Sequence, residues 1–346
     1  MAAKRKNREF ELDGEIVADL MLKQGFTVES LATKAVLSPN TISSVLNGTR
    51  PCNQKTGHKI RVALKVESIE ELLKQRDGKQ ESKSRIHEWV LHQPLTKNWV
   101  TASNQLQFRI WKLKHEHLSK FARGKCYDLE GMASAERERC RSSLLRHAEV
   151  CTRIGSHTHI INNVTTCEAP SGDRWWVIDE WVEGATLGEQ LGSAEFSMTE
   201  KRRVSRQIAD GLNAFHSHNI VRRELSPRTV LIRQDTGDVL LTEFELAKLL
   251  DGSPTVSNSD WPVDPYRAPE ATTDEIGRQA DIYSWGRITI ELLLGELPQK
   301  GTEQKQIAAA ELPKKVETML GKCVSVNWRS RPKTIDAVLK VLHAWK

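Results

Sequence analysis

Between Thr27 and Gly48, apolar residues recur at helical spacing in two short runs separated by a break. Leu31, Ala32 and Ala35 share one face of the first run, and Ile42, Val45 and Leu46 share one face of the second. Thr27 and Ser38 stand where N-caps belong, Pro39 takes the first helical position, and Gly48 closes the second run. The break falls at Val36-Leu37. Residues 13–74 are therefore expected to form a compact group of short helices. The stretch KQRDGKQESK (75–84) carries charge without apolar period, the composition of a solvated linker. Beyond residue 86, strand-like and helix-like segments alternate to the end, enough for one large mixed domain.

Composition narrows the classes. The chain has 346 residues, 38% of them hydrophobic and 28% charged, as expected of a globular protein. No run of about 18 apolar residues occurs, and MAAKRKNREF lacks an apolar signal core, so a cytoplasmic protein with no membrane partner is expected. The six cysteines form no CxxC pair, which leaves reduced, mostly buried thiols and no metal centre. Ten tryptophans are read as core packing. The net charge of +6 includes a basic surplus in the first 84 residues.

On the second short helix, Asn40, Thr41, Ser43, Ser44 and Asn47 face away from the apolar stripe, and Pro39 opens the same end. A small, uncharged polar face of this kind suits a helix lying in the DNA major groove, where Asn and Ser reach base edges. Arg50, Lys55, Lys59, Arg61 and Lys65 follow at places suited to phosphate contacts. The string FTVESLATKAVLSPNTISSVLNGTR (26–50) resembles the Cro and lambda-repressor-type (Xre) helix-turn-helix family. It departs from that family at Val36, where glycine is common and a β-branched residue disfavours φ > 0. The basic start, with Lys4, Arg5 and Lys6, resembles the arm that some members lay along DNA. The resemblance implies double-stranded DNA as partner and a homodimer on a palindromic site. Without that resemblance, the same helices would make a small bundle for dimerisation or partner binding.

The large domain carries NIVRRELSPRTVLI (219–232), LLTEFELAKLL (240–250), PYRAPE (265–270) and ADIYSWGRITIELLLGELP (280–298), and on these motifs it resembles the eukaryotic-like Ser/Thr protein kinases. NIVRRELSPRTVLI (219–232) has the apolar frame of a catalytic loop, with Arg222, Arg223 and Glu224 where His-Arg-Asp is usual. Thr229 stands at the metal-binding asparagine and Ser226 at the loop lysine. LLTEFELAKLL (240–250) resembles the metal-binding segment, with Glu243-Phe244-Glu245 for Asp-Phe-Gly. The hairpin 108–127 places Lys125 at the phosphate-pairing lysine and Ser103, Gln105 and Phe108 at the three glycines of the covering loop. Helix 133–154 puts His147 where that lysine's glutamate partner belongs; Glu149, two residues on, lies about 200° around the helix. The bracing motifs are nearly intact: Glu270 in PYRAPE, Asp281, Trp285 and Gly286 in the next helix, and Arg331 placed to pair with Glu270. Arg223 is read as structural.

The fold class expected is multidomain: an all-α helix-turn-helix domain plus an α+β bilobal protein-kinase-like domain. The boundaries are a basic arm at 1–12, the helix-turn-helix domain at 13–74, a linker at 75–95, and a kinase-like domain at 96–346. Its N-lobe spans 96–180 and its C-lobe 181–346. Of the chemical positions, Lys125 alone is identical, while Glu224 and Glu243 substitute Glu for Asp, so the domain resembles a pseudokinase. This implies no catalytic set, no metal and no ATP-magnesium cofactor. The function expected is a DNA-binding transcriptional regulator whose kinase-like domain senses or binds an unidentified protein or small molecule, or mediates assembly. The alternatives are an atypical active Ser/Thr kinase targeted by its N-terminal domain, with acceptors among Ser253, Thr255, Ser257 and Ser259, and a protein-binding scaffold.

Overall fold

The computed structural model describes residues 9–10, 12, 14–48, 52–66, 72, 85–102, 105–191, 196–251, 264–271 and 276–345. They fall into two compact units that divide between Ser84 and Arg85. Among them, no helix is long and apolar enough to cross a membrane.

The first unit contains β1 (Glu9–Phe10), α1 (Gly14–Lys23), α2 (Val28–Ala35), α3 (Pro39–Leu46), β2 (Cys52–Asn53) and α4 (Gln54–Ala63). Thr27 and Ser30 form a reciprocal capping box on α2, and Ser38 Oγ accepts the Thr41 N–H at the start of α3. Val17, Met21, Leu31, Ala32, Ile42, Val45, Ile60 and Leu64 close a single apolar core. Two expectations need correction. The unit is not wholly helical, because β1 pairs antiparallel with β2, Glu9 opposite Asn53. Leu12 is buried in the same core, so part of the stretch assigned to a basic arm belongs to the fold. Two-residue strands are too short for a period to show in sequence. Lys4, Arg5, Lys6 and Arg50 lie outside the described residues.

The second unit begins with β3 (Arg85–Ile86), β4 (Trp89–Pro94), β5 (Val100–Thr101), β6 (Gln107–His115), β7 (Phe121–Asp128), α5 (Ser134–Ile154), β8 (Asn163–Glu168) and β9 (Arg174–Glu180). The strands form one antiparallel sheet in the order β3-β4-β6-β7-β9-β8, with β5 on β6. Residues 85–94 are thus strands and not the linker expected there. Ile86 and Trp89 anchor them in the sheet's outer cluster with Leu113, Ala122 and Trp176, while His and Glu between the anchors hide the pattern. Alternation on β7 sorts its side chains to two faces: Ala122 and Cys126 join that cluster, whereas Arg123, Lys125 and Tyr127 face the opposite side. Gly124 is required on the outer face, where a Cβ would lie 2.6 Å from Leu113 Cδ1.

The chain continues through β10 (Gly184–Thr186), α6 (Leu187–Leu191), α7 (Met198–Ser217), β11 (Ile220–Val221), β12 (Val230–Arg233), β13 (Val239–Leu241), β14 (Lys248–Leu249), α8 (Arg278–Leu294), α9 (Glu303–Ala309), α10 (Lys314–Cys323) and α11 (Ile335–Ala344). Ser197 and Glu200 form a capping box on α7, whose stripe Val204, Ile208, Leu212 and Phe215 faces the core. Helix α8 is buried on almost every side, as befits the centre of a helical lobe. Trp285 is fully buried there and donates its indole N–H to Ser205 O at 2.9 Å. Gly286 lets α10 approach: a Cβ would meet Cys323 Cβ at 3.0 Å. Among the described cysteines, Cys126, Cys140, Cys151, Cys167 and Cys323 are all free.

Candidate functional site

In the first unit, Pro39, Asn40 and Asn47 are exposed on α3, while Thr41, Ser43 and Ser44 are half-buried. Thr41 Oγ1 lies 2.8 Å from Ser38 Oγ, so part of its hydrogen-bonding capacity serves the cap. The turn before α3 places Val36 at φ 54°, ψ 53°, left-handed despite its β-branch, with its N–H directed to Ala32 O and Thr33 O. Lys59 Nζ donates to Val36 O at 3.0 Å and ties α4 to this turn.

In the second unit, the cleft below β7 is built from charge. Lys125 is 3% exposed. Its Nζ donates to Glu243 Oε2 at 3.1 Å and to Glu245 Oε1 at 3.3 Å. Arg123, two residues earlier on the same strand face, donates from Nη2 to Glu243 Oε1 at 2.6 Å. Tyr127, two residues later, donates its hydroxyl to Glu245 Oε1 at 2.8 Å. The rings of Phe108 and Tyr127 stand 4.5 Å and 5.1 Å from Lys125 Nζ. Burial alone would raise the Glu243 carboxyl; Lys125 and then Arg123 outweigh it and hold the group far below the usual carboxylate range. Glu245 is likewise held below its ordinary value, burial being overcome chiefly by Lys125. Lys125 is pushed the other way, its desolvation outweighed by the two carboxylates.

His147 on α5 does not reach Lys125. Its Nε2 lies 2.8 Å from Asp179 Oδ1, and the Phe244 N–H donates to its Nδ1 at 3.1 Å. Asp179 draws a proton onto the ring against the cost of burial and would raise the imidazole. A second ring proton, however, would point at the Phe244 N–H, so the geometry keeps His147 neutral with its proton on Nε2. Its ring stacks on Phe244 at 4.9 Å. Glu149 points elsewhere and pairs with Arg146 at 2.8 Å.

The catalytic-loop segment is fastened through its backbone. Asp281 accepts the Arg222 N–H at 2.8 Å, the Arg223 N–H at 2.9 Å and His216 Nε2 at 3.0 Å. Arg223 sits at φ 67° and Glu243 at φ 65°, left-handed values uncommon for residues other than glycine. The Arg222 guanidinium is fully buried, donates to Glu243 O at 2.7 Å and to Thr242 O, and lies over the Phe244 ring. Glu224 approaches Arg267 at 3.9 Å. Thr229 Oγ1 donates toward Ser226 O at 3.1 Å and Glu224 O at 3.3 Å and accepts the Ser226 N–H. Below, Arg331 grips Glu270 through Nη1 at 2.5 Å and Nη2 at 3.0 Å.

These residues do not fit a magnesium nucleotide. A phosphate-pairing lysine needs its ammonium available, yet Lys125 is held between two carboxylates of its own chain. A metal-binding carboxylate needs an open oxygen, yet both oxygens of Glu243 face cations. The hydroxyl of Thr229 is spent on its own loop. At the covering loop, the N–H groups of Ala102 and Gln105 close a tight turn onto Leu106 O and Ala102 O. Gln105 holds φ 65° where the resemblance places glycine, and Ser103 lies outside the described residues. No group of three His, Cys, Asp or Glu side chains capable of holding a metal occurs among the described residues.

Sequence reasoning missed Arg123, Tyr127, Asp179 and His216. The first two had an available signal, the two-residue period of a strand carrying Lys125. Asp179 and His216 had none, since each acquires its role from a partner on another element.

Comparison with known proteins agrees with this framework. Residues 109–344 match the protein kinase domain family. The chain is 30% identical over 168 residues to the probable serine/threonine-protein kinase PknB of Lactococcus lactis, covering 48% of this chain and 26% of that protein. It is 31% identical over 147 residues to the calcium/calmodulin-dependent protein kinase cmkA of Emericella nidulans, covering 41% and 35%. It is 30% identical, also over 147 residues, to the serine/threonine-protein kinase chk1 of Schizosaccharomyces pombe, covering 41% and 29%. The chain thus spans about a third or less of the length of these relatives. The helices of the first unit lie outside the matched span. With its central buried helix, its Glu270–Arg331 brace and most of its length matched, this chain belongs to the protein kinase family.

Proposed function

We propose that the kinase-fold domain transfers no phosphate, takes no ATP-magnesium cofactor, and serves as a sensing, partner-binding or assembly module. One observation carries this reading: Lys125, identical to the family's phosphate-pairing lysine, is buried and bonded to Glu243 and Glu245. Catalysis of phosphoryl transfer is almost entirely positioning and charge neutralisation, and both instruments of it are engaged with each other. We further propose that the first unit binds double-stranded DNA as a homodimer, through Pro39, Asn40, Thr41, Ser43, Ser44 and Asn47, with Lys4, Arg5, Lys6 and Arg50 on phosphates. Support comes from the exposed polar positions on α3 and the capped turn leading into it. The whole protein would then be a transcriptional regulator.

The test has two arms on the full chain. A gel shift against the gene's own upstream region at about 50 mM salt should show binding that weakens steeply with salt. Thermal melting with millimolar Mg-ATP should show no shift, and labelled ATP should leave no phosphate on the protein. A second reading, an active Ser/Thr kinase, draws on family membership and on the carboxylates kept at Glu224 and Glu243. It requires phosphate incorporation that Glu243→Ala abolishes. Its proposed acceptors, Ser253, Thr255, Ser257 and Ser259, lie outside the described residues.

A further inference from the structure

The misfit between the cleft and a magnesium nucleotide has an ordered form, and its interpretation rests on the reading that no such nucleotide binds. In a working site, positive metal charge faces the carboxylate at position 243 and negative phosphate charge faces the lysine at 125. Here the Arg123 guanidinium faces Glu243, and the Glu245 carboxylate faces Lys125. We propose that Arg123 and Glu245 are a built-in ligand: the guanidinium substitutes for the metal, the carboxylate substitutes for the phosphate, and together they hold the two lobes closed without any bound molecule.

Three observations support the assignment. First, each of the four charges has an opposite partner, with Lys125–Glu243 as the central link at 3.1 Å, and the buried Asp179 carboxylate also approaches the Arg123 guanidinium at 4.0 Å. A buried set of this kind is tolerated only when every charge is paired. Second, the substituting groups come from opposite lobes. Arg123 lies on β7 of the N-terminal lobe and Glu245 comes after β13 of the C-terminal lobe, so each new ion pair spans the cleft. Third, neighbouring groups complete the set. Tyr127 donates to Glu245, and the Phe108 and Tyr127 rings face the Lys125 ammonium. Glu245 stands where the family has glycine, a place at which a side chain has to be accommodated; here it enters the cleft as the anion.

The assignment makes a crossed prediction that a merely structural cluster would not. Arg123→Met removes the metal substitute and leaves excess negative charge at Glu243. Glu245→Gln removes the phosphate substitute and leaves excess positive charge at Lys125. In the full-length protein each change should lower the melting temperature of the kinase-fold unit by roughly 6–15 °C. Magnesium chloride alone should then raise the melting point of Arg123→Met, and tripolyphosphate alone that of Glu245→Gln. Each rise should be about 3 °C at ten times the dissociation constant. Neither additive should move the wild type or the opposite variant. Arg123→Met combined with Glu243→Gln removes one charge of each sign, so it should melt closer to the wild type than Arg123→Met does, and it carries the test should that single variant fail to fold. Single variants as stable as the wild type, rescue by the wrong ion, or a double variant no better than the single would overturn the proposal. Transfer of labelled phosphate by the wild type would instead overturn the non-catalytic reading, so the two failures are separable.

Discussion

Replacing Asp281 by alanine should cost more than any other single change in the catalytic-loop region. The carboxylate is 1% exposed and accepts from Arg222 N, Arg223 N and His216 Nε2 at 2.8, 2.9 and 3.0 Å. Alanine leaves all three donors where water enters poorly, at about 1–3 kcal/mol each, or about 5 kcal/mol together. Two of them are consecutive backbone N–H groups beside a left-handed Arg223, so the segment has little freedom to turn them elsewhere. The loss should lower the melting temperature of the kinase-fold unit by about 10–20 °C. Asparagine keeps one acceptor oxygen and turns an N–H₂ toward another donor, so it should lose about half as much. Urea denaturation of the full chain, followed through tryptophan fluorescence with Trp285 in the same helix, measures the difference. An Asp281→Ala protein within about 1 kcal/mol of wild type would refute the reasoning, because the penalty for stranded buried donors would be absent.

Other consequences are equally specific. Val36→Gly should stabilise the first unit by about 1 kcal/mol, because the left-handed strain disappears while a 76% exposed side chain gives up little burial; unchanged or lower stability in thermal melting would contradict it. Glu243 and Glu245 are held below their ordinary values, so they stabilise the fold fully above the unfolded carboxylate pKa of about 4.3. That contribution is lost as pH falls below about 4 toward their folded values. Glu243→Gln should therefore show a shallower loss of stability with acid below pH about 4, and a slope equal to wild type would reject the assignment.

Much of the framework was legible because it rests on local pattern. The caps Thr27 and Ser38 and the buried Ile42 and Val45 are consequences of spacing along single helices. The Glu270–Arg331 pair could be anticipated because both residues sit in recognisable motifs, although 61 positions separate them. Short elements escaped: β1, β2 and β3 have two residues each and show no period. Strand β4 was hidden in a segment rich in His, Glu and Gln.

Pattern along the chain was enough to establish the short capped helices of the first unit, and the resemblance of its motifs to the protein kinases implied the frame of the second and the substitutions at its chemical positions. Where the altered charges go was settled by folding in three dimensions. Lys125 meets Glu243 across 118 positions, and Tyr127 meets Glu245 across the same distance. Strand alternation on β7 set which side chains enter the cleft, and there they meet both Glu243 and Glu245. Periodicity reports which face a residue takes within its own element. The partner waiting on that face belongs to another element, and burial then makes the pairing obligatory because an unpaired charge there is too costly to keep.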